Sequence, residues 1–174
     1  MSAMRDAIAA ELDKAVRNMQ ALAADTALQT QLEQAVGLCT GALRDGRKLL
    51  FAGNGGSAAD AQHWAGELVS RFYYDRPGLA AIALTTDSSI LTAIGNDYGY
   101  DFVFSRFIEG LGQENDVLLG ISTSGNSKNV ILAVEAAKAK GMKTIVLTGK
   151  DGGKLAGLAD IEIRAPHTNV ADRA

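Results

Sequence analysis

From residue 48 onward the chain repeats one pattern. A short apolar run is followed by a loop and then by a stretch with helical periodicity. The runs at residues 48–52, 79–84, 116–121, 144–147 and 161–163 are bounded by charge, glycine or hydroxyls and read as buried strands. Between them, residues 57–72, 87–94, 102–111 and 127–140 read as helices, with a single helical turn at 155–158. Strands that alternate with helices imply βαβ crossovers and a parallel sheet covered on both faces. Two helices precede this unit. In residues 4–24, Ile8, Leu12, Ala15, Val16 and Met19 fall on one apolar face, and residues 28–43 form a second helix that stops near Gly46. The expected fold is α/β, a doubly wound, Rossmann-like parallel sheet preceded by two N-terminal helices. No internal repeat, low-complexity segment or linker interrupts it, so residues 1–174 are expected to form a single domain, with 1–46 as a helical segment packed on it.

Composition removes several classes of function. A net charge of -3 leaves no basic footprint for nucleic acid. The longest apolar runs, such as residues 117–121, are too short to span a bilayer. Arg5, Asp6, Glu11, Asp13 and Lys14 leave no apolar core for a secretory signal. The single cysteine, Cys39, lies among apolar residues of a helical stretch, where a small buried thiol is expected rather than a nucleophile. A cytoplasmic protein is the expectation.

In doubly wound sheets, ligands bind beyond the carboxyl ends of the strands. Two loops there suit an anion. The first, Gly53-Asn54-Gly55-Gly56-Ser57, joins a strand to a helix. Its glycines let backbone approach a ligand, and Ser57 sits where an N-cap is expected. The second, Ser122-Thr123-Ser124-Gly125-Asn126-Ser127, carries four hydroxyls in six residues beside a helix start. One hydroxyl suffices for a cap, so the excess points to an anion cradle built without a cation. Neither loop has the glycine–lysine–serine/threonine ending of a Walker A motif. Gly53, Gly55 and Ala58 fit the loose dinucleotide pattern G-x-G-x-x-A, but that pattern also wants an acid roughly 20 residues on at the end of the next strand, and the candidate there, Asp87, lies 34 residues after Gly53 (87 minus 53). No nucleotide cofactor is expected.

Asp60, His63 and Glu67 fall at i, i+3 and i+7, a polar stripe that starts at the first loop. His63 and Glu67, four apart, can share a metal ion, or Glu67 can serve as a general base. A solvated face with a hydrogen-bonded histidine is the plainer account of such a pair. Asn96 and Asp97, placed after the helix at 87–94, can hydrogen-bond sugar hydroxyls, and a turn near Gly95 and Gly99 is the alternative. His167, after Pro166, reads as a surface-loop histidine.

Taken together, the two loops with Gln62-His63 and Glu67 between them resemble the sugar-isomerase (SIS) domain of bacterial phosphoheptose isomerases. The resemblance covers essentially the whole chain, including Asn96-Asp97, residues 147–153 and Ala171-Asp172-Arg173. It implies conversion of sedoheptulose 7-phosphate to D-glycero-D-manno-heptose 7-phosphate, an early step toward the heptose of lipopolysaccharide. It further implies a homotetramer with active sites at subunit interfaces and, in some members, a zinc ion. By position, Ser57, Ser122, Thr123, Ser124 and Ser127 resemble phosphate and substrate contacts, and Asn54, Gly55, Gly56, Asn96 and Asp97 further substrate contacts. Glu67 resembles the base that moves a proton between C1 and C2 through an enediol, with His63 beside it in the catalytic site, and both resemble zinc ligands. In the family, a helix after the Ala-Asp-Arg motif brings a glutamine and a histidine that complete the metal site and the acid/base pair. The residues here end at Ala174, so within them that pair is expected to be incomplete. A related member of the fold binds the bacterial replication initiator and resembles this chain in the Gln-His helix and in Leu91-Thr92-Ala93-Ile94. Glu67 favours the enzyme, because a pure binding module needs no carboxylate there.

Overall fold

In a computed structural model describing residues 3–166, the apolar runs form one five-stranded, fully parallel sheet. Its strands are β1 (Leu49–Gly53), β2 (Ala81–Ala83), β3 (Val117–Ser122), β4 (Lys143–Thr148) and β5 (Ile161–Arg164), in the spatial order β2-β1-β3-β4-β5. The helices are α1 (Ala3–Ala24), α2 (Thr26–Arg44), α3 (Gly56–Val69), α4 (Ser88–Asp97), α5 (Val103–Leu111) and α6 (Lys128–Ala139). The chain steps from β1 out to β2, then returns across β1 to β3. The strand order therefore reverses between β1 and β3, where doubly wound sheets place their ligands. The expected α/β architecture with two leading helices is the one observed.

The period of two along β1 divides the core. Leu49 and Phe51 pack with Ala35 and Ala42 of α2 and Ala61 and Ala65 of α3, whereas Leu50 and Ala52 pack with Phe104, Ile108, Val130 and Val134 of α5 and α6. Burying each large side chain stabilises the fold by about 1.5–3 kcal/mol. At Gly120, a Cβ would lie 2.9 Å from Cγ1 of Val130, so glycine lets α6 settle close on β3. The α1 helix packs against α2 alone among the elements it meets most, and its apolar face stays open: Ile8, Leu12, Val16 and Met19 are each more than half exposed.

Several boundaries differ from the sequence reading, each for a local reason. The α3 helix ends at Val69 rather than 72, because Arg76 donates to the carbonyls of Leu68 (2.8 Å) and Glu67 (2.9 Å), and the chain then turns through Tyr73 at φ 62°. The α4 helix runs on to Asp97, and Asn96 and Asp97 form its last turn instead of following it. The turn expected at 155–158 is a 3-10 turn at Gly153–Leu155. His167 and Ala171-Asp172-Arg173 lie outside the described residues.

At the amino edge of the sheet Asp116 is fully buried. Its carboxylate accepts from the Lys48 N–H (3.0 Å), the Gln113 N–H (2.8 Å) and the Lys48 ammonium (2.5 Å). Those bonds tie the start of β3 to the start of β1. Asp116→Leu strands three donors and is expected to lower the unfolding free energy by about 3 kcal/mol. Urea unfolding checks this, and a loss below about 1 kcal/mol would show that the carboxylate is not the tie.

Candidate active site

Because β1 and β3 pair in register, with Gly53 opposite Ile121, the two candidate anion loops leave the sheet side by side. A reciprocal amide pair joins them. The Asn54 amide donates to Oδ1 of Asn129 and the Asn129 amide donates to Oδ1 of Asn54, both at 2.9 Å, with Asn129 buried. The Tyr100 hydroxyl reaches Asn54 Oδ1 at 3.4 Å.

The first loop is tighter than the sequence suggests. A Cβ on Gly53 would meet the Ser57 carbonyl oxygen at 2.7 Å, and Gly55 adopts φ 58°. Ser57 is not the cap. The helix begins at Gly56 with Gly55 as its N-cap, because only a residue free to take that φ closes so short a turn. Ser57 falls in the first helical turn and lines the cleft. In the second loop Ser127 is the N-cap of α6, and its hydroxyl hydrogen-bonds the buried Ser122 hydroxyl at 2.9 Å. Thr123 faces the cleft, and the exposed Ser124 accepts from the Asn126 N–H at 3.2 Å.

Between the loops and the two N-terminal helices lies a cleft of about 690 Å³. Asn54, Gly56, Ser57 and Thr123 line it, together with Asp60, Trp64, Thr148 and Arg164. His63 and Glu67 open elsewhere. They line a separate cavity of about 380 Å³ with Phe51, Leu68, Phe72 and Leu119, and Trp64 is the wall common to both. Nε2 of His63 lies 3.8 Å from Oε1 of Glu67. The polar stripe of α3 is real, but it leads away from the two loops into a second cavity. Asn96 and Asp97 are exposed, and the Asn96 amide donates to Asp97 at 2.8 Å. Asp87 caps α4 by accepting from the Ile90 N–H (2.9 Å), so it is not a carboxylate free for a ribose.

Imidazole and carboxylate are apt zinc donors, but a zinc site takes at least three protein ligands. Among the described residues no third His, Cys, Asp or Glu joins His63 and Glu67, which fit half a metal site. Cys39 is half-buried, and burial pushes its thiol pKa up, away from the reactive thiolate.

Four residues of this region escaped the sequence reading: Asn129, Thr148, Glu162 and Arg164. Arg164 is the one cation among the described residues lining the cleft. Its Nε and Nη2 donate to the two oxygens of Glu162 at 3.0 and 2.8 Å, and the Thr148 hydroxyl donates to the same carboxylate at 2.6 Å. The Arg164 hydrogen bond holds the Glu162 carboxyl below its ordinary range, against the smaller opposing effect of burial.

The fold is a doubly wound α/β unit with two glycine- and hydroxyl-rich loops at its strand-order reversal, and the profile of the SIS domain family matches residues 3–149. The phosphoheptose isomerase of Edwardsiella ictaluri is 53% identical over 169 residues, 97% of this chain and 87% of that protein. That of Vibrio cholerae is also 53% identical, over 97% of this chain and 88% of its own. Among solved structures, the phosphoheptose isomerase of Neisseria gonorrhoeae superposes with a TM-score of 0.88 at 46% identity, covering 98% of this chain and 90% of that one. That of Francisella tularensis gives 0.92 at 39% identity, covering 99% and 91%. The chain belongs to the phosphoheptose isomerase family of SIS-domain proteins.

Two predictions follow from the geometry. Asn129→Leu leaves the Asn54 amide without its partner and is expected to destabilise the fold by about 1–3 kcal/mol while weakening phosphate binding. Denaturation and a phosphate titration on the same protein check it, and unchanged binding would dismiss the amide pair as a loop clamp. The second concerns pH. A carboxylate with a depressed folded pKa stabilises the fold above its unfolded value, 4.5 for Glu162, and that contribution is lost as pH falls through the folded value. The midpoint temperature of the wild type should therefore drop more steeply below pH 4.5 than that of Glu162→Gln, and parallel curves would refute the assignment.

Proposed function

We propose that this chain interconverts sedoheptulose 7-phosphate and D-glycero-D-manno-heptose 7-phosphate in the cytosol, supplying the heptose of lipopolysaccharide. One observation carries the reading: identity above 50% across 97% of the chain to proteins named phosphoheptose isomerase. The same identity favours the enzyme over a module that binds the replication initiator. The placement of both loops at the strand-order reversal supports a phosphate site.

In this reading the phosphate sits over the loop backbone at Gly55 and Gly56. The hydroxyls of Ser57, Thr123 and Ser124 face it, with Ser122 and Ser127 behind them and Asn54 at the side. Neutral donors at two helix starts suit a dianion. Glu67 takes a proton from C1 of the ketose. The C1–H electron pair becomes the C1=C2 bond of the enediol as the C2 carbonyl oxygen is protonated. Return of a proton to C2, with loss of the O1 proton, leaves the C1 aldehyde, and every atom of the sugar is retained.

Glu67 lies ten residues beyond Ser57 (67 minus 57), about 15 Å along α3 at 1.5 Å per residue. With Trp64 between the two cavities, one chain does not readily present both groups to one sugar. A homotetramer in which His63, Glu67 and the Asn96-Asp97 turn of one subunit meet the phosphate loops of another removes the difficulty. The open apolar face of α1 supports association. Zinc, held by His63 and Glu67 with further ligands from outside the described residues, would polarise the carbonyl when bound.

The test is deuterium exchange at C1 of sedoheptulose 7-phosphate in heavy water, followed by NMR. Exchange and aldose formation are expected for the wild type. In Glu67→Gln, kcat is expected to fall by about 10²- to 10⁴-fold, with zinc content reduced. Full exchange in the variant would remove Glu67 as the base.

A further inference from the structure

The loop after β4 connects the phosphate loop to an ion pair that the chemistry above does not use. Ser122, Thr148 and Arg164 are cross-strand neighbours in register on β3, β4 and β5, so the carboxyl ends of these strands lie level. Glu162 and Arg164, two apart on β5, share a face of the sheet.

Three glycines stack the loops on that pair. Gly125, at φ 66°, lies directly on the backbone of Gly152, where a Cβ would strike the Gly152 carbonyl. Gly152, at φ 80°, lies on the Glu162 carboxylate, and a Cβ would come within 2.7 Å of Arg164 Nη2. Gly153 sits on Ser124 O and the Asn126 amide, with 2.6 Å left for a Cβ at either. Hydrogen bonds run through the same stack. Leu155 N–H donates to Gly125 O at 3.0 Å, Lys154 N–H to Asn126 Oδ1 at 3.1 Å, and the Asn126 amide to Ser124 O at 3.0 Å. The loop packs on Gly152 and Gly152 on Glu162, and Glu162 accepts from three donors of Thr148 and Arg164.

We propose that Glu162 and Arg164 are positioning residues for the phosphate loop, acting through Gly152 and Gly125 to hold the Ser124-Gly125-Asn126 turn in its anion-receiving shape. The inference rests on the reading of that loop as the phosphate site. It assigns the pair a role in binding rather than in proton transfer, because the phosphate is held equally before and after the chemical step. Arg164 also lines the cleft, and Glu162 keeps its guanidinium directed along β5 instead of toward the substrate. Loss of the carboxylate therefore loosens the loop.

Glu162→Gln and Arg164→Met are compared with the wild type for kcat, KM and the Kd of inorganic phosphate. In both, KM and phosphate Kd are expected to rise together, by about three- to tenfold, with kcat within about twofold of wild type. Arg164→Lys, which keeps the charge and a single donor to Glu162, is expected to recover part of the loss and serves as the readout if either first variant fails to fold. Unchanged phosphate Kd in the folded variants, or a fall in kcat at constant KM, overturns the proposal. If the wild type binds phosphate but leaves the heptulose phosphate unconverted, the isomerase reading fails while the phosphate titration still decides the role of the pair.

Discussion

The side-by-side pairing of β1 and β3 is the constraint from which the rest of the site follows. The register runs from Leu49 opposite Val117 to Gly53 opposite Ile121, and Asp116 anchors its beginning through three donors, two of them on Lys48. A slip of one residue would turn Leu50 and Phe51 to the wrong faces and exchange the two halves of the core. It would also separate Asn54 from Asn129, whose reciprocal bonds require the two loops to emerge level. A buried acid at one edge of the sheet thus sets the alignment of neutral donors at the other.

Much of this was legible in the sequence, and the omissions have a common cause. Buried strands announced themselves because both of their faces are covered, so apolar residues run nearly unbroken between glycines and charges. Both loops stand out because an excess of glycine or hydroxyl over what a turn needs is a local signal, and the parallel pairing of β1 and β3 sets them side by side. Ser57 was misplaced as the cap because a serine after two glycines resembles one, whereas the Gly53–Ser57 approach forces the helix to open a residue earlier at Gly56, with Gly55 as its cap. Asn96 and Asp97 looked like a turn because their composition says turn, yet helical hydrogen bonds carry α4 through them. Asn129 and Thr148 give no local sign. Their partners are 75 and 14 residues away in sequence, and only the parallel register brings them together. The i, i+2 spacing of Glu162 and Arg164 on a short strand was the one available clue to a shared face.

The division of α3 is the structural fact with most consequence for the chemistry. Its first residues, Gly56, Ser57 and Asp60, line the cleft and its later ones, His63 and Glu67, line the second cavity, with Trp64 packed edge-on to Phe51 between them at 6.0 Å. A rigid helix cannot bring its two ends to one small substrate. In the proposed reading this separation suits a shared site, because a symmetric assembly would apply each end of the helix to a different copy of the substrate.

The proposed cradle holds a dianion with neutral groups, although arginine or lysine binds phosphate more tightly. For the proposed isomerisation, tighter phosphate binding brings no gain in the chemical step. Phosphate is bound equally by ketose, enediol and aldose, so its contribution is uniform and does not lower the barrier of the chemical step. Past the point of saturation, stronger attraction would only slow release. What the reaction needs from the phosphate end is a fixed origin from which C1 and C2 are placed, and hydroxyls and amides on rigid, glycine-packed turns provide direction at modest strength. The engagement of Arg164 with Glu162 is consistent with this economy. The cleft's cation is held along the sheet by a carboxylate, and orientation is left to dipoles that cannot swing.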